Sequence, residues 1–320
     1  MQPISRRDFL VVSAGLAVAP AHAIADYAVD VPRSQFGMTS TAEAVTAGID
    51  LTGKTAIVTG CNSGVGYETM RVLALRGAHV IGTARSIEKG RDACATFEGR
   101  CTPVVLELTD FDSVVACAEE VRALDAPIDI LVCNAGVLFR EHRKVGDLEM
   151  HFVINHLGHF LFVHRLLDRV VAAPEGRIVI VGSKSHRRAT DGIYFDDLSG
   201  KSWTTAAYSH SKLANGLHSL ELARRLEGTH ATSNCVHPGS VATNIFRSAE
   251  RRPNPDRYLK NLAEGAATQC YVAAHPALSG VNGYYFVDCN PLEPSVGMQD
   301  ACAARRLWDV SEQLVAEYLA

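Results

Sequence analysis

The sequence of 320 residues lacks an excess of charge of either sign. Its 31 Lys and Arg residues nearly balance 35 Asp and Glu residues, and the net charge is −4 with histidine neutral. The basic residues are scattered along the chain rather than gathered in a stripe, which argues against nucleic acid as the main partner. With 47% hydrophobic residues, the composition is that of an ordinary globular protein that buries a sizeable core.

The chain also lacks the cysteine and histidine spacings of disulfide-rich and metal-binding proteins. Nine cysteines, an odd number, run from Cys61 to Cys302 without framework spacing, so we predict no disulfide scaffold. No Cys-x-x-Cys or His-Glu-x-x-His motif accompanies the densest group of histidines. The members of that group are His151, His156, His159 and His164. We therefore expect structural histidines and no bound metal.

The apolar run at the N-terminus, Val11–Pro20, is too short and too interrupted to span a bilayer. The paired arginines Arg6 and Arg7 precede it, and the small residues Ala23 and Ala25 follow it. A basic region, a short apolar region and small-x-small sites are typical of a secretory signal. We expect cleavage near Ala23 or Ala25.

The order Arg6-Arg7-Asp8-Phe9-Leu10 resembles the twin-arginine export signal, whose machinery carries folded proteins. Residues 1–25 are therefore expected to be a signal peptide that directs export to the periplasm. The alternatives are a frayed amphipathic N-terminus on a cytoplasmic protein or an anchor at a membrane surface. Residues 26–50 are small and polar, as in a linker or leading arm.

Residues 51–320 alternate short apolar runs with helical patterns, without repeats or a second domain boundary. Near-continuous Val and Ile runs are typical of strands buried on both faces, and their alternation with helices predicts right-handed crossovers. The predicted strands are Thr55–Thr59, Ala78–Thr83, Thr102–Leu108, Ile128–Cys133, Arg177–Val181 and Thr232–Val236. The predicted helices include Tyr67–Arg76, Ser113–Leu124, Met150–Val171 and Thr205–Leu226. We predict a single α/β domain with a Rossmann-type, doubly wound parallel sheet.

A glycine-rich turn, Thr59–Gly66, follows the first predicted strand and opens a helix. Gly60 permits the tight turn, Gly64 lets the backbone approach a phosphate, and Gly66 lets the helix pack close to the strand. The free N–H groups at the start of the helix favour a pyrophosphate. The predicted cofactor-binding residues of this turn are Gly60, Asn62, Ser63, Gly64, Val65 and Gly66.

The second predicted strand leads to Thr83-Ala84-Arg85-Ser86, with no acid at its end. An acid at that point usually holds the ribose 2′-hydroxyl of NAD, whereas an arginine accommodates the 2′-phosphate of NADP. We therefore predict that Arg85 selects NADP(H) over NAD(H). The alternative is a surface arginine that starts the next helix.

Tyr208 and Lys212 are four residues apart in a predicted helix, so their side chains share a face. A nearby cation favours phenolate and is expected to lower the pKa of the tyrosine hydroxyl. The phenol could then give a proton, near neutral pH, to an oxygen that gains negative charge. Together with the glycine-rich turn, the pair predicts an enzyme that transfers hydride.

These motifs together resemble the short-chain dehydrogenase/reductase family over roughly Phe36 to Val315. Asn134, Ala135 and Gly136 resemble the family's Asn-Ala-Gly motif, and Asn155 and Ser183 resemble its active-site Asn and Ser. The loop that caps the nicotinamide has its counterpart in His237–Thr243, from which we take Pro238, Gly239, Val241 and Thr243 as cofactor-binding residues. The adenine side has its counterpart in Leu108, preceded by Glu107 where an Asp is usual.

The resemblance implies four catalytic residues and their roles. Tyr208 would be the general acid in reduction and the general base in oxidation. Lys212 would lower the phenol's pKa and hydrogen-bond the nicotinamide ribose, and Ser183 would donate to the substrate oxygen. Asn155 would hold a water that connects Lys212 to solvent. Members of the family often pair through long helices such as those with Asn155 and Tyr208, which implies a homodimer or tetramer.

Within the family, the chain looks most like the branch of retinol dehydrogenases and WW-domain oxidoreductases. Ser211–Asn215 and Glu221–Gly228 resemble that branch, and so does the insertion that leaves Ser183 and Tyr208 25 residues apart. The aromatic and apolar residues of the insertion either wall an apolar cleft or pack the loop onto the domain. They are Ile193, Tyr194, Phe195 and Trp203. Residues 245–258 resemble the family's lid over the substrate, and they could equally be a solvated charge run.

We therefore expect an NADP-dependent carbonyl reductase or alcohol dehydrogenase for an apolar small molecule. One alternative is a carbon–carbon double-bond reductase like the protochlorophyllide reductases, which share Tyr-x-x-x-Lys. A second alternative is a partner subunit that binds NADP without turnover. The intact set of Ser183, Tyr208 and Lys212 argues against this second alternative.

Overall fold

The computed structural model describes residues 31, 33–203, 206–243, 245 and 260–319. The signal peptide that we expect in residues 1–25 lies outside the described residues, and so does most of the lid that we expect at 245–258. Among the residues that are described, no helix combines the length and the apolar character needed to cross a membrane.

An eight-stranded sheet forms the centre of the molecule. Its strands are β1 (Thr55–Thr59), β2 (His79–Ala84), β3 (Cys101–Val105), β4 (Ile130–Cys133), β7 (Arg177–Val181), β8 (Thr232–His237), β9 (Tyr285–Val287) and β10 (Asn290–Pro291), and a separate hairpin contains β5 (Lys144–Val145) and β6 (Leu148–Glu149). The order across the sheet is β10-β9-β8-β7-β4-β1-β2-β3, and only β9 and β10 pair antiparallel within it. The strand order reverses between β1 and β4, which makes this gap the topological switch point of the sheet.

Helices cover both faces of this sheet. They are α1 (Ala42–Val45), α2 (Gly64–Leu75), α3 (Ile87–Cys94), α4 (Phe111–Arg122), α5 (Gly158–Val171), α6 (Ala207–Arg225), α7 (Leu262–Ala274) and α8 (Ala301–Leu314). Alternate residues of β1 point into two hydrophobic clusters, Ile57 into the one under α4, α5, α6 and α8, and Val58 into the one under α1, α2 and α7. The predicted single-domain, doubly wound fold is therefore confirmed.

All six predicted strands exist; Thr55–Thr59 and Arg177–Val181 have the predicted bounds, and the other four have shifted ends. β3 ends at Val105 rather than at Leu108, because a turn in which Asp110 donates to the carbonyl of Glu107 directs the chain away from the sheet. The predicted helix Met150–Val171 also exists, but its first part, Phe152–Leu157, is a π-helix that leads directly into α5. The edge strands β9 and β10 were not predicted.

Side-chain caps mark where several helices begin. Asp110 accepts from the first turn of α4, Asp300 does the same for α8, and Asn261 and Glu264 form a capping box at α7. By contrast, Ser63 at the start of α2 makes no side-chain cap. The N–H groups at the start of α2 are therefore not taken by a cap, and this helix points at the site described below.

One disulfide joins Cys94, at the end of α3, to Cys101, at the start of β3. The other seven cysteines are free, and only Cys302 among them is exposed. The prediction that the chain has no framework of several disulfides is therefore correct, but this one pair was not predicted. The six residues between the two cysteines span a helix end and a strand start, which a spacing rule for multi-cysteine frameworks does not recognise.

The last helix, α8, packs across the outer surface of the π-helix, α5 and α6. Trp308 lies with its ring centroid 4.9 Å from that of Phe160, and the guanidinium of Arg225 lies 4.1 Å above the Trp308 ring. His156 and Ser311 are joined by a hydrogen bond of 2.8 Å. These are the helices through which the family resemblance implies that copies pair, and part of their surface is covered by the chain itself. The oligomeric state stays a prediction.

Candidate active site

The predicted site residues follow the carboxyl ends of six parallel strands. In chain order they are Gly60–Gly66 after β1, Arg85 after β2, Glu107 and Leu108 after β3, Asn134–Gly136 after β4, Ser183 after β7 and Pro238–Thr243 after β8. Ligands of open α/β sheets bind at this edge, next to the switch point. Asn155 comes from the π-helix, and Tyr208 and Lys212 come from α6.

The glycine-rich turn is packed directly against the Asn134-Ala135 pair. Gly60 has a φ of +67°, and a Cβ added to it would lie 2.9 Å from the Cβ of Ala135. A Cβ on Gly66 would collide with the side chain of Asn134. These two glycines are therefore required by close approach, and in Gly60 also by the left-handed backbone.

Thr59 connects the turn to the Asn134 motif by hydrogen bonds. Its hydroxyl oxygen accepts from the backbone N–H groups of Asn134 and Ala135, each at 2.9 Å. The side-chain amide of Asn134 donates back to the Thr59 carbonyl at 2.8 Å, and Gln269 donates to Asn134 Oδ1 at 3.4 Å. Neither Thr59 nor Gln269 was among the predicted site residues. The position of Thr59 as the last strand residue before the turn was the available signal.

The start of α2 is suited to an anion. Gly64 has a φ of +66°, and Ser63 precedes it without a side-chain cap on the first turn. Uncapped N–H groups and the positive end of the helix dipole attract a pyrophosphate. Thr243 lies beside the same turn, since a Cβ on Gly64 would be 3.6 Å from it. Together these residues fit the diphosphate of a dinucleotide.

Lys260 packs against the loop that follows β8 and restrains its backbone. Gly239 has a φ of +99°, and a Cβ added there would lie 2.6 Å from Lys260 Cδ. Lys260 forms a backbone bridge with Val241 and an ion pair of 2.6 Å with Asp288. These contacts therefore fix the backbone of the loop from Pro238 to Thr243, which lies next to the start of α2.

Three predicted cofactor-binding residues lie further along the edge. Arg85 is exposed directly after β2. Glu107 uses its carboxylate locally, accepting from the N–H and hydroxyl of Thr109 at 3.1 and 2.9 Å. Leu108 is buried, and a Cβ on Gly158 would lie 2.7 Å from its carbonyl oxygen. These three residues lie along the carboxyl edge of the sheet, where they are expected.

Ser183, Tyr208 and Lys212 converge at the end of β7. The Tyr208 hydroxyl is hydrogen-bonded to the side chain of Ser183. Lys212 Nζ lies 5.8 Å from the centroid of the Tyr208 ring and donates to the Val181 carbonyl at 2.8 Å. Asn215 donates to the same carbonyl at 3.0 Å. Asn215 was missed as a site residue, although it follows Lys212 by three positions on the same helix face.

Burial shifts both titratable groups of this cluster. It raises the pKa of the Tyr208 phenol to about 12, and the hydrogen bond with Ser183 offsets part of that rise. Burial also lowers the pKa of the Lys212 ammonium to about 8. The expected lowering of the phenol's pKa by Lys212 is therefore not found, because the desolvation of the phenol dominates. The phenol of Tyr208 keeps its proton at neutral pH.

Asn155 links the loop after β4 to helix α6. Its Oδ1 accepts from the Val137 N–H at 2.8 Å, and its Nδ2 donates to Ser211 Oγ at 2.9 Å. Ser211 in turn donates to the carbonyl of Tyr208 at 2.8 Å. A Cβ on Gly136 would lie 3.2 Å from Asn155 Oδ1, so this glycine allows the loop to pass close to the amide. Both polar atoms of the Asn155 side chain thus form hydrogen bonds with protein groups.

His159 ties Asn155 to the glycine-rich turn. Thr59 Oγ1 already accepts two N–H groups, so its own proton points to His159 Nε2, 2.8 Å away. Nδ1 therefore carries the proton and faces the Asn155 carbonyl at 3.3 Å. Burial lowers the pKa of His159 to about 4, so the ring is neutral. The expectation of structural histidines agrees with this geometry, and no cluster of metal ligands occurs in the described ranges.

The insertion before Tyr208 packs onto the domain. Ile193, Phe195 and Trp203 all contact the hydrophobic cluster under α6, and Trp203 Nε1 donates to the carbonyl of Asp197 at 2.7 Å. Tyr194 packs against His210 with ring centroids 5.2 Å apart and the ring planes tilted by 53°. Of the two alternatives for these residues, the structure favours the packing role over an open cleft wall.

Comparison with known proteins agrees with this geometry. A family model described as short chain dehydrogenase matches residues 54–254. The short-chain dehydrogenase TIC 32 B, chloroplastic, of Brassica napus is 42% identical over 304 residues, which cover 88% of this chain and 95% of that protein. The WW domain-containing oxidoreductase of Homo sapiens is 37% identical and covers 90% of this chain and 74% of its own length. Retinol dehydrogenase 11 of Mus musculus is 38% identical, with coverages of 84% and 89%.

A solved structure supports the same assignment. An uncharacterized protein from Mycobacterium paratuberculosis has a TM-score of 0.70 and 32% sequence identity, and the match covers 88% of this chain and 98% of that one. The resemblance to retinol dehydrogenases and WW-domain oxidoreductases is therefore confirmed at the level of relatives. The chain belongs to the short-chain dehydrogenase family of oxidoreductases, whose fold binds nicotinamide cofactors.

Proposed function

We propose that the protein is an NADP(H)-dependent carbonyl reductase or alcohol dehydrogenase that acts on an apolar small molecule. The observation that carries this proposal is the convergence of Ser183, Tyr208 and Lys212 at the cofactor edge of the sheet. A hydrogen-bonded hydroxyl pair with an ammonium behind it is suited to an oxygen that gains or loses a proton. The nicotinamide supplies the hydride, and the protein supplies orientation and electrostatics.

Each side chain of the cluster has a separate task in this mechanism. Tyr208 holds a proton at neutral pH, since the pKa of a phenol lies well above 7 and burial raises it further, so a proton is available for a carbonyl oxygen. Ser183 donates a second hydrogen bond to that oxygen as its negative charge develops. The Lys212 ammonium stabilises the phenolate that remains, and it is protonated below a pKa of about 8. This arrangement favours the direction of reduction at neutral pH.

Asn155 has a holding role in this proposal. Its amide joins Val137 to Ser211 and thereby positions the helix turn that contains Tyr208. Asn155 remains proposed to hold a water that connects Lys212 to solvent, in addition to making these protein contacts.

The proposed cofactor is NADP(H) rather than NAD(H). The support is Arg85, exposed directly after β2 with no acid beside it, where a 2′-phosphate would lie. The residues proposed to hold the rest of the dinucleotide are Gly60, Asn62, Ser63, Gly64, Val65, Gly66, Glu107, Leu108, Asn134, Ala135, Gly136, Tyr208, Lys212, Pro238, Gly239, Val241 and Thr243. We expect Arg85→Ala to weaken NADPH binding by about tenfold to a hundredfold, since a charge-assisted hydrogen bond is lost, and to leave NADH binding unchanged.

Export to the periplasm is proposed from the sequence of residues 1–25. Its support is the paired arginines Arg6 and Arg7, and the Cys94–Cys101 disulfide is of a kind that persists in oxidising compartments. Replacing both arginines by lysine tests the twin-arginine signal. The exported fraction, measured by cell fractionation, should fall; an unchanged fraction would show that another signal or none is in use.

The test of the enzymatic proposal uses the chain from Asp26. NADPH and NADH oxidation would be followed with aldehydes, ketones, retinal and conjugated enones, and products would be identified. Tyr208→Phe should lower turnover by about 10³-fold, because it removes the proton donor, while NADPH binding is retained. A saturated ketone from an enone would instead indicate carbon–carbon double-bond reduction. NADPH binding without turnover in either protein would indicate a partner subunit.

A further inference from the structure

A buried carboxylate–imidazole pair lies next to Tyr208 and has no role in the mechanism above. Glu149 ends β6, and His151 begins the turn that leads into the π-helix. Glu149 Oε1 and His151 Nδ1 are 2.7 Å apart, and their side chains are 0% and 2% exposed. Burying two such groups is costly unless every polar atom finds a partner, so their partners indicate what the pair does.

The hydrogen bonds define the tautomer of His151. The backbone N–H of Phe139 can only donate, and it donates to His151 Nε2 at 2.8 Å. The proton of the neutral ring therefore lies on Nδ1 and points to Glu149. The second oxygen of Glu149 accepts from the Phe152 N–H at 3.0 Å, so the carboxylate is fixed from two sides.

Through this pair, the loop after β4 is fastened to the helix that precedes α5. The N–H groups of Val137 and Phe139 are bonded to the side chains of Asn155 and His151, respectively. Because two of three consecutive residues are bonded in this way, the loop 137–139 has little freedom to move. Its three side chains are half-buried.

The same imidazole also contacts the ring of Tyr208. The rings of His151 and Tyr208 meet edge to face, with centroids 6.1 Å apart and an interplanar angle of 74°. Phe139 lies on the ring of His151 as well, with centroids 5.5 Å apart. His151 therefore stands between the phenol that gives the proton and the apolar loop beside it.

We propose that Glu149 and His151 are positioning residues that fix loop 137–139 as an apolar wall of the substrate pocket. The carboxylate holds the imidazole in one tautomer, and the imidazole holds the Phe139 backbone. The pair thus determines how well a bulky apolar carbonyl compound is oriented at Tyr208. This inference rests on the proposed function of Tyr208.

Three variants separate the two hydrogen bonds of His151. His151→Asn keeps a donor near Glu149 but does not reach the Phe139 N–H. His151→Gln keeps an acceptor near Phe139 but loses the donor to Glu149. Glu149→Gln offers an amide that cannot accept from both His151 and Phe152, so one bond of the pair is broken while the shape is kept.

The kinetic test compares decanal with propanal, because a long alkyl chain extends further from the reacting carbonyl than a short one and is expected to contact the wall. In His151→Asn and Glu149→Gln, KM for decanal should rise about tenfold with kcat within about threefold, because ground-state binding is lost. KM for propanal and the Kd of NADPH should stay unchanged, and His151→Gln should lie within about twofold of the natural protein for both aldehydes. Equal KM changes for the two aldehydes, or equal values in the Asn and Gln variants, would overturn the proposal.

A second measurement does not depend on turnover. Amide hydrogen exchange at Phe139 should be slow in the natural protein and in His151→Gln, and at least about tenfold faster in His151→Asn, because the acceptor is lost. Exchange that is fast in the natural protein, or equal in the two variants, refutes the positioning role. If exchange follows the expected pattern but Tyr208→Phe retains activity, the proposed function is wrong and the anchoring of the loop stands.

Discussion

The π-helix and helix α6 have two buried polar clusters on opposite sides. On one side, Tyr208 and Lys212 meet Ser183 and Asn155 at the cofactor edge. On the other side, His156 and His218 meet Trp308 of α8. Both clusters hold groups whose pKa is shifted by burial: that of Lys212 falls to about 8, and that of His218 falls to about 3.

The clusters differ in what they face. Tyr208 is partly exposed at the carboxyl edge of the sheet, whereas His156, His218 and Trp308 are buried where α8 packs on the other helices. Perturbed pKa values accompany burial in both places, so a shift alone does not identify a catalytic group. Here the two kinds of cluster are distinguished by the side of the helix on which they lie. The residues proposed to be catalytic face the ligand edge of the sheet, and the structural residues face α8.

The largest effect on activity is expected for Lys212, in the cluster at the cofactor edge. Lys212→Met should lower kcat/KM by about 10³-fold, because the charge that stabilises the phenolate is lost. It should also raise the free energy of unfolding at pH 7 by about 2 kcal/mol, since the buried ammonium is disfavoured in the folded state. Asn215 continues to satisfy the Val181 carbonyl. Steady-state kinetics and urea unfolding measure both effects, and a variant that loses stability as well as activity would contradict the comparison.

For Trp308, in the cluster against α8, we expect a loss of stability with little change in activity. Trp308→Ala should lower the free energy of unfolding by about 3–5 kcal/mol, because it leaves a cavity between α8, α5 and α6. At temperatures where the variant is folded, kcat per active site should stay within about twofold, since no catalytic contact is removed. Thermal unfolding and active-site titration with NADPH separate stability from activity. A specific loss of kcat in the fully folded variant would mean that the two clusters are coupled.

The pH dependence of the reduction rate sharpens the difference further. Lys212 is charged below a pKa of about 8, so kcat/KM for reduction should be flat at pH 6–7 and should fall as pH rises through about 8. At pH 9 the loss should be about tenfold, one factor of ten for each pH unit above the pKa. Residual activity in Lys212→Arg should not show this fall, because the guanidinium stays charged. A flat profile in the natural protein up to pH 9.5 would assign the charge requirement elsewhere.

The smallest expected effect concerns His218. Its folded pKa of about 3 lies below the value of 6.5 for the free side chain, so the unfolded chain takes up its proton first as pH falls. This histidine therefore costs stability as pH falls from 6.5 toward 3, at up to about 1.4 kcal/mol per pH unit. His218→Leu should reduce the stability difference between pH 7 and pH 5 by about 1–2 kcal/mol. Urea midpoints at the two pH values provide the measurement, and an unchanged difference would mean that other groups dominate acid unfolding.

Local patterns of the sequence were sufficient for six of the eight strands of the central sheet and for the strand ends at which the candidate site residues lie. Strands such as Thr55–Thr59 are apolar and β-branched, so their conformation is decided by neighbouring residues. The turn from Gly60 to Gly66 is recognisable because each glycine meets a steric need within a few residues. Arg85 and Ser183 could be located for the same reason, since each directly follows a strand.

The parts that were missed depend on residues far apart in the chain. Thr59 and His159 are separated by 100 residues, and His156 and Ser311 by 155. No spacing rule reveals such pairs, because the fold alone brings them together. The pKa of Tyr208 was misjudged for a related reason: the charge four residues away is visible in the sequence, whereas the burial that outweighs it is not.

The redox state of the Cys94–Cys101 disulfide should indicate which compartment each protein molecule has occupied. Disulfides persist in oxidising compartments and are reduced in the cytosol, and the two sulfurs here lie far from the catalytic edge, at the opposite end of β3. A molecule that has left the cytoplasm should therefore be lighter by two hydrogen atoms than one that has stayed. Intact-protein mass spectrometry of material taken directly from the native cell would thus reveal where the enzyme resides, independently of any activity.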